Sequence, residues 1–189
     1  MEQAKNRTNT GAVTPDALLK YLKSLKISFV QYHHPAVFTV KEAKLLRGNV
    51  PGEHCKSLFL MEKAGALYLI VCLEWRRLDM RALAELLGSK RLSFGKPKLL
   101  LEKLGVVPGS VTPFGIINDT NPNDQQVTVI LDREMMKASQ VNYHPLVNTM
   151  TIGVTPECLV RFLVDCNHTP LILDMDRVTK VENQFQPEK

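Results

Sequence analysis

Lys56 and His144 each stand where their chemistry could be put to use. Lys56 lies in His54-Cys55-Lys56-Ser57-Leu58-Phe59-Leu60, at the mouth of an apolar run. A lysine there is a compact point charge suited to phosphate oxygens or a developing oxyanion. It can equally lay its stem over apolar surface and keep the amine in water. Its neighbour Ser57 adds a short donor and acceptor. His144 is followed by Pro145, which disfavours helical geometry at the histidine, so the ring sits at a strand end or turn. It either bonds nearby backbone there or orients water and substrate. The sequence offers it no carboxylate partner, so it is not read as a general base. The segment Pro108-Gly109-Ser110-Val111-Thr112-Pro113 is a plain connector or a backbone cradle whose amides could hold an oxyanion. Cys55 lacks an evident base and is set aside as a nucleophile. Lys90-Arg91 and Lys96-Pro97-Lys98 are solvated faces, or phosphate contacts if the partner is a polyanion.

The elements that must position these residues follow from local signals. Thr14-Pro15-Asp16 predicts a helix start, with Leu18, Leu19, Leu22 and Leu25 as its apolar stripe. A strand is expected over 27–30, ending by His33, and a second helix over 39–46. Residues 56–61 and 66–73 read as a hairpin around a turn at 62–65. Asp79 should cap a helix that Gly88 ends, and another should run from Pro97 to Gly105. Strands are expected at 91–94, 127–131, 140–143, 149–154 and 171–173, with a last helix opened by Thr155-Pro156. Hairpins interleaved with isolated helices predict an α+β fold, a mixed and largely antiparallel sheet with helices packed around it.

The chain's 189 residues fit one domain, expected over 13–176, between a disordered leader at 1–12 and a polar tail at 177–189. A net charge of +5 permits a polyanionic partner without requiring one. Four scattered cysteines suggest thiols in a reducing compartment, and no His/Cys spacing suits a metal. No apolar run reaches membrane-spanning length. A cytoplasmic protein without cofactor or metal is expected.

Taken in order and spacing, the Lys56, Gly109 and His144 segments resemble the YbaK/ProX family of prolyl-tRNA editing domains. Within it they are most similar to the free-standing deacylases called ProXp-ala or PrdX. His34-Pro35-Ala36-Val37-Phe38-Thr39-Val40 matches a further family segment, and the likeness spans about 33–174. The resemblance implies a trans-acting hydrolase that removes alanine wrongly esterified to tRNA(Pro). It implies Lys56 as the principal site residue and His144 beside it, around one pocket. Ser57 stands where the family usually has Asn, and Asn148 carries over with His144. Gly109, Thr112 and Pro113 would lie against the substrate, with Val37, Phe38, Leu58 and Ile152 lining the sieve. Lys90, Arg91, Lys96 and Lys98 would meet tRNA phosphates. The implied partners are the tRNA(Pro) acceptor end and, as a second candidate, prolyl-tRNA synthetase, with no membrane. Two alternatives stay open: a YbaK-type deacylase of Cys-tRNA(Pro), and a non-catalytic module that binds tRNA or a synthetase.

Overall fold

The computed structural model describes residue 8 and residues 11–36, 50–121 and 126–180. The expected helix at 39–46 lies outside them, as does most of the leader. Four α-helices are described: α1 Pro15–Ser24, α2 Met80–Leu86, α3 Pro97–Leu104 and α4 Pro156–Asp165. Their starts show why local sequence forms them. Thr14 Oγ1 accepts from the Ala17 amide at 3.2 Å, Thr155 Oγ1 from Cys158 at 3.3 Å, and Asp79 Oδ1 from Arg81 at 2.8 Å. Each satisfies an amide that the first turn leaves without a partner. Gly105 ends α3 in the left-handed region at φ 66°, a conformation that glycine adopts without steric cost.

The strands are β1 Val30–His33, β2 Glu53–Glu62, β3 Leu67–Leu73, β4 Leu92–Phe94, β5 Val127–Asp132, β6 Val141–Tyr143, β7 Met150–Val154 and β8 Leu171–Leu173. They form one sheet in the order β1-β7-β6-β2-β3-β5-β8, with β4 also paired to β2. Pairings β1–β7, β2–β3, β2–β4 and β6–β7 are antiparallel, while β2–β6, β3–β5 and β5–β8 are parallel. The mixed α+β architecture is the expected one. The strand expected at 27–30 begins only at Val30, because the Ile27 amide instead donates to the Leu22 carbonyl at 2.9 Å and closes α1.

Both faces of the central strands are covered. On one face Phe59, Leu69, Val71, Val129 and Leu131 pack with Phe114, Phe162 and Tyr143. On the other, Leu60, Ile70 and Ile130 pack with Leu83, Met175 and Val178. Alternation along β2 therefore sends Cys55, Ser57, Phe59 and Met61 one way and Lys56, Leu58 and Leu60 the other. Packed structure also passes the expected boundary at 176. Met175 and Val178 are buried in a short 3-10 helix, and the Lys180 amide donates to the Arg77 carbonyl at 2.7 Å. At the other end, Ala12 is buried rather than part of a loose leader.

A buried polar cluster pins the chain after the Gly109 loop. Asp119 accepts from the Val127 amide at 2.7 Å, and its carboxylate lies 3.4 Å from Lys103 Nζ and 3.0 Å from His168 Nε2. His168 Nδ1 lies 2.8 Å from the Cys166 carbonyl oxygen. Both ring nitrogens face oxygens that only accept, so the doubly protonated ring satisfies both. Burial alone would lower the His168 pKa, but the Asp119 hydrogen bond and charge raise it above the ordinary value. A raised folded pKa adds stability below the unfolded pKa and loses it as pH rises through the folded value. The stability difference between wild type and His168→Gln should therefore be larger at about pH 5.5 than at about pH 9. Urea unfolding at the two pH values checks this, and an equal difference would contradict a charged His168.

Candidate active site

Lys56 sits on β2 just past the point where pairing passes from β6 to β3. It pairs with Cys72 of β3, and the start of β2 runs parallel to β6 through Glu53↔Val141 and His54↔Asn142. Gly52 makes the approach possible: at φ 87°, a Cβ there would lie 2.7 Å from the Gln140 carbonyl oxygen. Asn142 Nδ2 donates to the Pro51 carbonyl at 2.8 Å and to the Glu53 carbonyl at 3.2 Å. Gln140 Nε2 also donates to Pro51 at 2.8 Å. Lys56 and His144 each follow by two residues the last pair of this register, His54↔Asn142. Tyr143 and Cys55 share the opposite, core-side face, so alternation sends Lys56 and His144 to the same side.

Lys56 Nζ donates to the carbonyl of Arg76, in the turn that leaves β3. His144 Nδ1 lies 2.8 Å from the Met150 carbonyl oxygen. That nitrogen must carry the hydrogen, which leaves Nε2 as an acceptor. Burial pushes the His144 pKa down, and neighbouring His34 pushes the same way against the Met150 bond. The ring is therefore neutral at physiological pH. His34 lies beside it, ring centroids 5.7 Å apart, with its own Nε2 2.9 Å from Thr151 Oγ1. Two residues on, Leu146 holds φ 67°. A leucine in the left-handed region costs about 1–2 kcal/mol, a strain more often kept where geometry serves a site than in a free loop.

The other expected site residues divide. Leu58 lies on the Lys56 face, partly buried against the second core cluster. Ser57 points with Cys55 and Phe59, away from Lys56, by the same alternation. Ile152 is not a pocket wall. It is fully buried in the main core and pairs across from Tyr143, on the face opposite His144. Thr112 and Pro113 are also buried: Thr112 Oγ1 accepts from the Phe114 amide at 3.3 Å and caps the 3-10 helix Pro113–Asn118. Their place is structural, because Phe114 then packs edge-to-face on Tyr143, centroids 6.0 Å apart. That contact ties the Gly109 loop to the strand that presents His144. Gly109 itself is exposed at φ 90°, and Asn148 is half-buried with polar partners of its own. Val37 and Phe38 lie outside the described residues.

Cys55 is no nucleophile at neutral pH, since burial pushes its thiol up to about 12. Among the described residues no group of three or more His, Cys, Asp or Glu could hold a metal ion, and no helix is long and apolar enough to cross a membrane. The site thus offers a lysine ammonium and a neutral imidazole acceptor, parts suited to holding an ester and orienting water.

Lys90, Arg91 and Lys96 line an open cavity of about 1070 Å³ together with Lys63 and Phe94. It lies at the far end of β2, roughly 17 Å from Lys56 at the usual rise per strand residue. Lys98 is not on its wall and lies 3.8 Å from Glu102 along α3.

The chain is similar to known proteins. The sequence model of a family described as "aminoacyl-tRNA editing domain" matches residues 34–162. A Danio rerio protein named prolyl-tRNA synthetase associated domain-containing protein 1 is 37% identical over 180 residues, 92% of this chain and 96% of its own length. The prolyl-tRNA editing protein ProX of Acetoanaerobium sticklandii is 30% identical over 148 residues, 78% of this chain and 88% of its own. A crystal structure described as a candidate trans-editing enzyme for prolyl-tRNA synthetase superposes with a TM-score of 0.64 at 22% identity, covering 88% of this chain and 94% of that one. At that identity the likeness establishes the fold.

Proposed function

Since the chain belongs to the aminoacyl-tRNA editing domain family, we propose that it acts in trans as a hydrolase of mischarged tRNA(Pro), with Ala-tRNA(Pro) as its substrate. The observation that supports this is that Lys56 and His144, each two residues beyond the paired His54 and Asn142, fall on the same face of the sheet by strand alternation. In the proposed reaction water attacks the ester carbonyl, the bond from the carbonyl carbon to the ribose oxygen breaks, and one proton of the water passes to that oxygen, so that free alanine and a ribose hydroxyl leave. The Lys56 ammonium holds the substrate end and stabilises the negative charge that develops on oxygen. His144, neutral with Nε2 as acceptor, orients the water. A terminal ribose hydroxyl of the tRNA assists. No metal or cofactor takes part.

Such an enzyme answers a limit of binding. A synthetase pocket built for proline cannot strongly exclude a smaller amino acid, so a second site must remove the errors. The basic cavity at the end of the β2–β3 hairpin suits the RNA: Lys63, Lys90, Arg91 and Lys96 can neutralise phosphates without reading sequence. The four thiols Cys55, Cys72, Cys158 and Cys166 are free, which fits work in the reducing cytosol.

Deacylation of alanyl- and cysteinyl-tRNA(Pro), run in parallel with and without EDTA, tests the amino acid and the metal together. Faster loss of alanine, unchanged by chelation, is expected. Faster loss of cysteine would move the protein to the other branch. Activity removed by EDTA and restored by zinc would overturn the metal-free mechanism.

A further inference from the structure

Trp75 is the chain's single tryptophan, and it is 58% exposed. It lies in the turn that leaves β3, one residue before the carbonyl that receives Lys56. The Arg76 guanidinium lies 4.9 Å from the Trp75 ring centroid. Arg76 is itself 1% exposed and firmly held. Its Nε donates to Asp132 at 2.5 Å, and its Nη1 to Asp176 at 2.6 Å and Thr179 Oγ1 at 2.9 Å. Burial alone would lower the Arg76 pKa, but the bonds from Asp132 and Asp176 raise it. One side of the indole therefore rests on an anchored cation, while more than half of the residue's surface meets solvent. Among the large apolar residues that the structure leaves exposed, such as Phe94, Val107 and Leu171, Trp75 alone is joined to the turn that holds Lys56.

We propose that Trp75 is a stacking platform for a nucleobase of the RNA substrate, the base of the nucleotide whose ester sits at Lys56. The inference rests on the editing reading above, and it adds a ligand subsite to it. Adjacent Cα atoms are about 3.8 Å apart, so the indole and the lysine's carbonyl acceptor are close enough for one nucleoside to meet both. The sugar of that nucleoside carries the ester on one side and the base on the other. Stacking on an indole is open to any base, because every base has a π face. The anchored cation behind the ring helps hold it in place, and a ring so held loses less freedom when the base arrives. Exposed tryptophans also anchor protein partners. The position next to the carbonyl that receives Lys56 favours the substrate.

The single tryptophan makes the test direct. An uncharged RNA hairpin with an unpaired 3′ end is titrated into wild-type protein while Trp75 emission and its quenching by acrylamide are followed. Stacking should quench the emission and shield the ring from acrylamide. A matching hairpin with an abasic 3′-terminal nucleotide should do neither. In deacylation, Trp75→Ala should raise KM about 5- to 150-fold, the range for one lost base stack, with kcat within a few fold. Trp75→Phe should recover most of the loss. Circular dichroism checks that both variants are folded. Unchanged emission at RNA concentrations that saturate a mobility shift would overturn the platform. So would equal quenching by the abasic hairpin, or a wild-type KM in Trp75→Ala. Quenching without any deacylation would sink the editing reading and leave the platform standing. Deacylation without quenching would do the reverse.

Discussion

Lys56→Ala should lose about 10²- to 10³-fold in deacylation rate, the usual cost of removing one donor from a charge-stabilising site. Its stability should change by less than about 1 kcal/mol, because the residue is half-buried and fills no core volume. The bond it gives to the Arg76 carbonyl can pass to water at that depth. Single-turnover hydrolysis and a urea melt, made on the same preparation, separate the two effects. A folded mutant within tenfold of wild type would remove Lys56 from the chemistry.

Asp132→Ala should be among the costliest single changes for stability, at about 3–5 kcal/mol. Asp132 is fully buried and accepts from Arg76 Nε at 2.5 Å, from the Glu134 amide at 3.1 Å and from the Leu73 amide at 3.4 Å. Its loss strands a buried guanidinium on Asp176, whose side chain is 74% exposed. Removing one partner of a buried pair costs far more than the pair's net worth, because the remaining charge stays desolvated. For a chain of this size each kcal/mol moves the melting temperature by roughly 2–4 °C, so a drop of order 10 °C is expected. Asp176→Ala should cost much less, since water already reaches that carboxylate. Equal losses in the two variants would show that burial does not set the strength of this network.

What the sequence disclosed was whatever local chemistry decides. Thr14-Pro15, Asp79 and Thr155-Pro156 announce their helices because a side-chain oxygen or a fixed φ acts within one turn. The hairpin of β2 and β3 is local in the same sense. The parallel pairing of β2 with β6 is not, since it joins residues nearly ninety positions apart through a three-residue strand. Without that register, Ile152 reads as a wall near His144. Alternation assigns it to the core only once Tyr143 is known to pair with it. Thr112-Pro113 likewise reads as substrate-facing loop until Phe114 is seen packed on Tyr143. The network beneath Trp75 was also hidden. Glu74-Trp75-Arg76-Arg77 has the composition of a solvated turn, and nothing nearby names Asp132. The available signal was a lone acid closing the apolar run of β5, because a carboxylate in that position must find a cation or stay unpaired in the core.

The central claim is that this site removes a small wrong amino acid and leaves proline in place. It is tested most directly by following wild-type enzyme on alanyl- and prolyl-tRNA(Pro) side by side. A site sized for alanine would reject proline by steric overlap, so rapid loss of alanine and no loss of proline above the uncatalysed rate are expected. Equal hydrolysis of the two, or hydrolysis of neither, would contradict it.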